Sequence, residues 1–145
     1  MKLAHLELKN FRNYASLSME LDSGVNLIVG DNAQGKTNLL EAVVYLSQGS
    51  SYRTRKEEEM IRWNQDFARL EATIQGTDRE TELVYALFRG SRRRQIMKNG
   101  VKQKSAAGTE GILTTVLFCP EDLQLLRAGA AALLRQRHQP AAASV

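Results

Sequence analysis

The stretch Gly30-Asp31-Asn32-Ala33-Gln34-Gly35-Lys36-Thr37-Asn38 constrains this chain more than any other. It follows an apolar run at residues 25–29 and leads into Leu39-Leu40-Glu41-Ala42-Val43-Val44. The run suits a strand buried on both faces. Over residues 37–46 the apolar positions fall at helical spacing, with Leu39, Val43 and Leu46 on one face and Leu40 and Val44 beside it. Strand, glycine loop, helix is the context in which the pattern G-x-x-x-x-G-K-[ST] cradles phosphate. Glycines let the backbone curl so that successive N–H groups converge on an oxygen anion. The helix that follows adds its positive N-terminal end. Lys36 supplies a point charge for the terminal phosphates, and Thr37 offers a hydroxyl to Mg²⁺. The expected fold class is therefore α/β, a P-loop unit that binds a nucleoside triphosphate. The alternative is an ordinary strand-to-helix turn.

Elsewhere the dominant period is two. Leu6 and Leu8 alternate with His5 and Glu7, which predicts a strand over residues 3–9. Residues 10–14 read as a connecting turn, 17–21 as a second strand and 22–24 as a turn. Residues 48–55 are polar and read as a loop, and 56–63 as a short helix that partly buries Met60, Ile61 and Trp63. Leu70, Ala72 and Ile74 alternate with polar neighbours, and residues 81–88 alternate again. Asn99-Gly100 supplies the positive φ angles of a type I′ hairpin turn. Residues 68–104 are thus expected to form an antiparallel meander. Residues 112–118 read as a further apolar strand. Pro120, with Glu121 and Asp122, suits a helix start.

The totals limit the classes. A chain of 145 residues with 43% hydrophobic content makes about one domain with a core. No apolar run of about 18 residues is present, so no membrane span is expected. The N-terminus lacks the apolar region of a secretory signal. The single cysteine, Cys119, has no internal disulfide partner and reads as a small buried hydrophobe. The cytoplasm is the expected compartment. Net charge is only +4, but Arg89, Arg92, Arg93, Arg94, Lys98, Lys102 and Lys104 fall in a window with no acid. Such a cluster can meet a polyanion, or it can be a solvated hairpin.

Phosphate binding does not by itself give hydrolysis, which also needs an acidic Mg²⁺ site on a second strand. Residues 116–122 come nearest, and Pro120 interrupts them. No catalytic residue is assigned, and enzyme status stays open.

Two further stretches narrow the choice. Leu8-Lys9-Asn10-Phe11-Arg12-Asn13-Tyr14 and the run from Asn26 to Ala42 resemble the head domain of the SMC/Rad50/RecF ATPases. Ser51-Tyr52-Arg53-Thr54 and Leu117-Phe118-Cys119-Pro120-Glu121-Asp122-Leu123 extend the resemblance toward the RecF branch of that family. The resemblance implies an ABC-type ATPase head lobe, with a mixed parallel sheet plus an antiparallel β-meander. It implies ATP and Mg²⁺ as cofactors, held by Gly30, Asp31, Asn32, Ala33, Gln34, Gly35, Lys36 and Thr37 (the Walker A loop). Asn38 follows the loop into the helix, and Arg12 and Asn13 contact phosphate or base. Arg12 and Asn13 can also be plain turn residues. The family implies dimerisation around ATP and binding to DNA at gaps and single-strand/double-strand junctions. RecR- and RecO-type mediators are its implied partners, with RecA loading and SOS induction as the outcome.

Arg53 and Arg55, and the hairpin residues Arg92, Arg93, Arg94, Lys98, Lys102 and Lys104, are the candidates for DNA phosphate contact. They would position the DNA without reading its sequence. Glu121 lies where related heads place a water- and metal-contacting loop, with helix capping as the alternative.

The chain departs from the family in lacking an acidic second nucleotide box and a signature motif. From Ala128 the sequence turns alanine-rich. The expectation is a head lobe over 1–127 and an atypical tail over 128–145, from a truncated or frame-shifted reading frame. Two other readings stand beside this one. One is a nucleotide- or DNA-binding fragment without turnover. The other is the head of another SMC-like ATPase of the RecN or SbcC type.

Overall fold

The computed structural model describes residues 1–30 and 33–118. Its framework is a six-stranded sheet. β1 (Lys2–Phe11) pairs with β2 (Tyr14–Glu20) as a hairpin and, on its other side, with β3 (Phe67–Gln75). β4 (Glu80–Phe88), β5 (Gln95–Lys98) and β6 (Val101–Gln103) continue outward, giving the order β2-β1-β3-β4-β5-β6. Every pairing of these strands is antiparallel. The expected meander is present, and Asn99 (φ 51°) and Gly100 (φ 78°) make its left-handed turn.

Alternation decides which face is covered. Leu8, Leu70, Tyr85 and Ile96 stand opposite one another across four strands, and Leu6, Ala72 and Leu83 form the next row. All seven are buried. The helix α1 (Ala33–Gln48) lies over them and contributes Leu39, Ala42, Tyr45 and Leu46 to the same core. The helix is longer than the expected 37–46, so that Gly35, Lys36 and Thr37 belong to its opening turns. Its buried stripe includes Ala42 and Tyr45, while Leu40 is 43% exposed. Tyr45 meets Tyr85 edge to face at 5.2 Å between ring centroids, which fastens helix to sheet. Gly49, at φ 73°, ends α1 by donating its N–H to the Tyr45 carbonyl.

Three expectations are corrected. Residues 25–29 do not form a buried strand: they form no ladder, and Val25 is 94% exposed. A strand needs a neighbour for its N–H and C=O groups, and no strand pairing among the described residues includes this segment. The expected parallel part of the sheet is correspondingly not among the described pairings. Residues 112–118 also form no ladder strand, although Leu113 and Leu117 are buried. The expected helix at 56–63 is a single 3₁₀ turn, Glu57–Met60. Its end is diverted by backbone pairing, because Phe11 and Ile61 form a bridge and Arg62 donates to the Asn10 carbonyl. Cys119, Pro120, Glu121, Asp122 and the alanine-rich tail lie outside the described residues. No helix among the described residues is long and apolar enough to cross a membrane.

Candidate nucleotide site and its buried ionic hub

Gly30 closes the approach to α1. A Cβ placed on it would lie 3.8 Å from the Lys36 Cε, so the lysine stem folds back across the glycine. That is the arrangement in which an ammonium reaches a phosphate seated on the helix N-terminus. Thr37 follows on the first turns of α1, a position from which a threonine hydroxyl can ligate Mg²⁺. These residues fit a magnesium-bound polyphosphate. Asp31 and Asn32 lie outside the described residues, and Ala33 and Gln34 are placed only as the opening of α1.

The hairpin between β1 and β2 turns toward this helix. Arg12 sits at φ 51°, a left-handed conformation that costs a residue with a Cβ on the order of 1 kcal/mol. The turn is held there from several sides. The Arg12 N–H donates to the Met60 carbonyl at 2.8 Å. The Tyr14 hydroxyl donates to the Gly35 carbonyl at 2.7 Å, and burial raises the pKa of that phenol. Asn38 Nδ2 donates to Asn13 Oδ1 at 2.8 Å. Arg12 itself donates through Nε and Nη2 to the two oxygens of Glu41, each at 2.8 Å. This hydrogen-bonded carboxylate raises the Arg12 pKa against the opposing effect of burial.

Glu41 is the hub. Its side chain is 0% exposed. Besides Arg12 it accepts from the Ser51 hydroxyl at 2.7 Å and from Arg53 Nη1 at 3.3 Å. The same Arg53 nitrogen donates to Asn38 Oδ1 at 2.6 Å. A buried carboxylate is tolerable only when its lone pairs are filled, and here four donor atoms fill them. Arg12, Asn13, Asn38 and Arg53, which are scattered in sequence, are thus brought together beside the glycine loop. Glu41, Ser51 and Tyr14 lie within the stretches that carry the family resemblance, but the sequence assigns none of them a role in the site. The one signal for Glu41 was an acid within Leu39-Leu40-Glu41-Ala42-Val43-Val44, three residues after Asn38 and four before Tyr45, on the stripe that faces inward.

Arg12 also borders a cavity of about 1020 Å³ together with Lys56, Glu59, Trp63, Asn64 and Arg89. Trp63 is 84% exposed at its edge.

The basic residues divide by environment. Arg94 turns inward: Nη1 donates to the Tyr45 hydroxyl at 2.8 Å, to Glu57 Oε1 at 2.9 Å and to the Gly49 carbonyl. Burial lowers its pKa, but the nearby Tyr45 and Glu57 outweigh that and raise it. Arg89 likewise donates to the carbonyls of Gln65, Ile61 and Arg62. Arg55, Arg92, Arg93 and Lys104 border a second cavity of about 540 Å³, whose lining Arg94 also joins, and the Arg92 guanidinium stacks 3.9 Å over the Phe88 ring. Lys98 and Lys102 stand on β5 and β6, away from that cavity's lining.

Comparison with known proteins agrees with this arrangement. A family profile described as an AAA domain matches residues 5–124. The DNA replication and repair protein RecF of Clostridium novyi (strain NT) is 39% identical over 127 residues, 88% of this chain and 35% of that protein. RecF of Bacillus velezensis is 35% identical over the same share of this chain. The solved structure of the recombination mediator protein RecF-ATPrS in the RecFOR pathway superposes with a TM-score of 0.79 at 35% identity, covering 86% of this chain and 33% of that one. The RecF-ATP structure gives 0.77 at 33% identity, covering 93% of this chain and 37% of that one. The chain therefore spans about a third of the length of the relatives it matches. Its fold is that of the P-loop ATPase head seen in those structures, and the chain belongs to the AAA domain family.

Proposed function

We propose that the chain is the nucleotide-binding lobe of a DNA replication and repair ATPase of the RecF type. In this reading the loop Gly30–Thr37 with Asn38 holds the phosphates of ATP, and Thr37 and the phosphates share Mg²⁺. Arg12 and Asn13 face the nucleotide from the β-hairpin. One observation carries the reading: the Arg12-Asn13-Tyr14 turn is fastened to Gly35, Asn38 and Glu41, on the helix that the glycine loop opens. In this reading the nucleoside end takes the cavity of Trp63, which Arg12 also borders.

The exposed bases of the β5–β6 region and Arg55 form the DNA-facing side, meeting phosphates at gaps and junctions. Dimerisation around ATP and RecR- or RecO-type mediators complete the proposal, with the cytoplasm as the compartment. A second reading concerns turnover: the isolated chain holds ATP without hydrolysing it. The sequence stretch nearest to an acidic second nucleotide box, residues 116–122, is interrupted by Pro120, which supports that reading.

The test uses the single tryptophan as the reporter. Mg-ATP titrated onto the chain should change Trp63 fluorescence saturably. Lys36→Ala should remove the change while leaving the melting temperature within a few degrees. No saturable change in the unsubstituted chain, by fluorescence or calorimetry, would sink the proposal.

A further inference from the structure

The basic loop that follows α1 is tied to the nucleotide site through one carboxylate. Glu41 Oε1 accepts from Arg12 Nε at 2.8 Å and from Arg53 Nη1 at 3.3 Å. Glu41 Oε2 accepts from Arg12 Nη2 at 2.8 Å and from Ser51 Oγ at 2.7 Å. Ser51 Oγ in turn accepts the backbone N–H of Arg53 at 3.0 Å and of Thr54 at 3.3 Å. Each carboxylate oxygen therefore serves the β1–β2 turn on one side and the 51–54 loop on the other. The two sides draw on the same acceptors.

We propose that Glu41 is a positioning residue that couples nucleotide occupancy to the order of the 51–55 loop, and so to the presentation of Arg55. This inference rests on the nucleotide reading above. A polyphosphate beside Arg12 competes with Glu41 for the guanidinium, because both are anions whose oxygen pairs accept its two parallel N–H bonds. As Arg12 turns toward phosphate, Glu41 Oε1 and Oε2 each lose a 2.8 Å donor, leaving Oε1 with Arg53 and Oε2 with Ser51. A carboxylate that is fully buried must draw its remaining donors closer. Arg53, already at 3.3 Å, is the donor in place. Closing that distance draws the loop onto α1, with Ser51 as the pivot and the Thr54 and Arg53 amides following it. By linkage the effect is reciprocal, so a ligand that orders the 51–55 loop shifts the nucleotide affinity by the same factor.

The experiment is amide hydrogen exchange over residues 50–56 of the full chain, with and without saturating Mg-ATP. The affinity is read in parallel from Trp63 fluorescence. In the unsubstituted chain, ATP should slow exchange in this segment about threefold or more. Ser51→Ala should keep ATP affinity within about twofold yet lose that slowing. Glu41→Gln should lose the slowing and tighten ATP about threefold, because the amide presents one acceptor to Arg12 instead of two and so competes less with phosphate. If ATP binds and exchange over 50–56 is unchanged, the coupling is overturned. It is equally overturned if Ser51→Ala retains the full slowing. If ATP does not bind the unsubstituted chain at all, the nucleotide reading fails, and the coupling falls with it. Ser51→Ala keeps the test decisive should Glu41→Gln not fold.

Discussion

Arg12 and Glu41 meet as a two-pronged pair, Nε to Oε1 and Nη2 to Oε2, both at 2.8 Å, across 29 residues of sequence. The carboxylate is fully buried while the guanidinium keeps an edge in solvent. Loss of the two partners is therefore unequal. Arg12→Ala leaves a buried carboxylate with only Ser51 and Arg53, and should cost about 3 kcal/mol in urea unfolding. Arg12→Lys should recover less than half of that, since an ammonium cannot make two parallel bonds. Full recovery by lysine would mean that charge, and not the planar fork, holds the turn.

The hairpin bases should behave as two classes. Arg92→Ala, Arg93→Ala, Lys102→Ala and Lys104→Ala should each weaken binding to a gapped duplex. Each should also reduce the steepness of log affinity against log salt, by up to about 0.9 for every phosphate left without its cation. Stability should stay within about 0.5 kcal/mol. Arg94→Ala should do the reverse, because it removes the donor shared by Tyr45, Glu57 and Gly49. It should cost about 2 kcal/mol of stability. Paired denaturation and salt-series binding curves separate the classes, and an Arg94 variant with native stability and lost DNA affinity would contradict the assignment.

Two left-handed glycines make a controlled comparison. At Gly100 an added Cβ meets nothing within 4 Å, so Gly100→Ala carries only the conformational cost of about 1 kcal/mol. At Gly49 the same Cβ would lie 2.6 Å from the Ala106 Cβ and 3.3 Å from the Tyr85 hydroxyl. Gly49→Ala should therefore cost about 2–4 kcal/mol, strain and crowding together. Equal denaturation midpoints for the two variants would show that the packing between the end of α1 and residue 106 yields freely.

Alkali should expose Tyr45. Burial raises the pKa of its phenol first of all, with Glu57 adding to the effect. The folded state thus keeps the proton that the unfolded chain releases near pH 10. A raised folded pKa gives stability that is complete below about pH 10 and falls as pH rises above it. The slope should be about 1.4 kcal/mol per pH unit for this one group. Unfolding midpoints followed from about pH 9 to 11 should show the fall, and Tyr45→Phe should flatten it.

Local signals carried well in this sequence. The Asn99-Gly100 turn, the alternation of Leu70, Ala72 and Ile74, and the loop-to-helix order around Lys36 each depend on neighbours a few residues away. The failures have two physical origins. Residues 25–29 carry the apolar content of a buried strand, but burial is a property of whatever lies alongside, and content alone does not supply it. Arg92, Arg93 and Arg94 are chemically identical in the sequence. Only the fold shows that the last of them points at Tyr45 and Glu57. The Glu41 hub was invisible for a similar reason, since its partners lie 10 to 29 residues away and no periodicity links them.

That hub also has a consequence for how sequences of this kind can drift. Positions 12, 41, 51 and 53 answer to one another through a single carboxylate, and 38 joins them through Arg53, so a change at one alters what the others can tolerate. A substitution at 41 that is harmful alone becomes acceptable only with matching changes at 12 and 53. In a deep mutational library of pairs, these five positions should therefore stand out as a knot of strong epistasis. The lysines of β5 and β6, which have no part in that carboxylate, should vary almost independently.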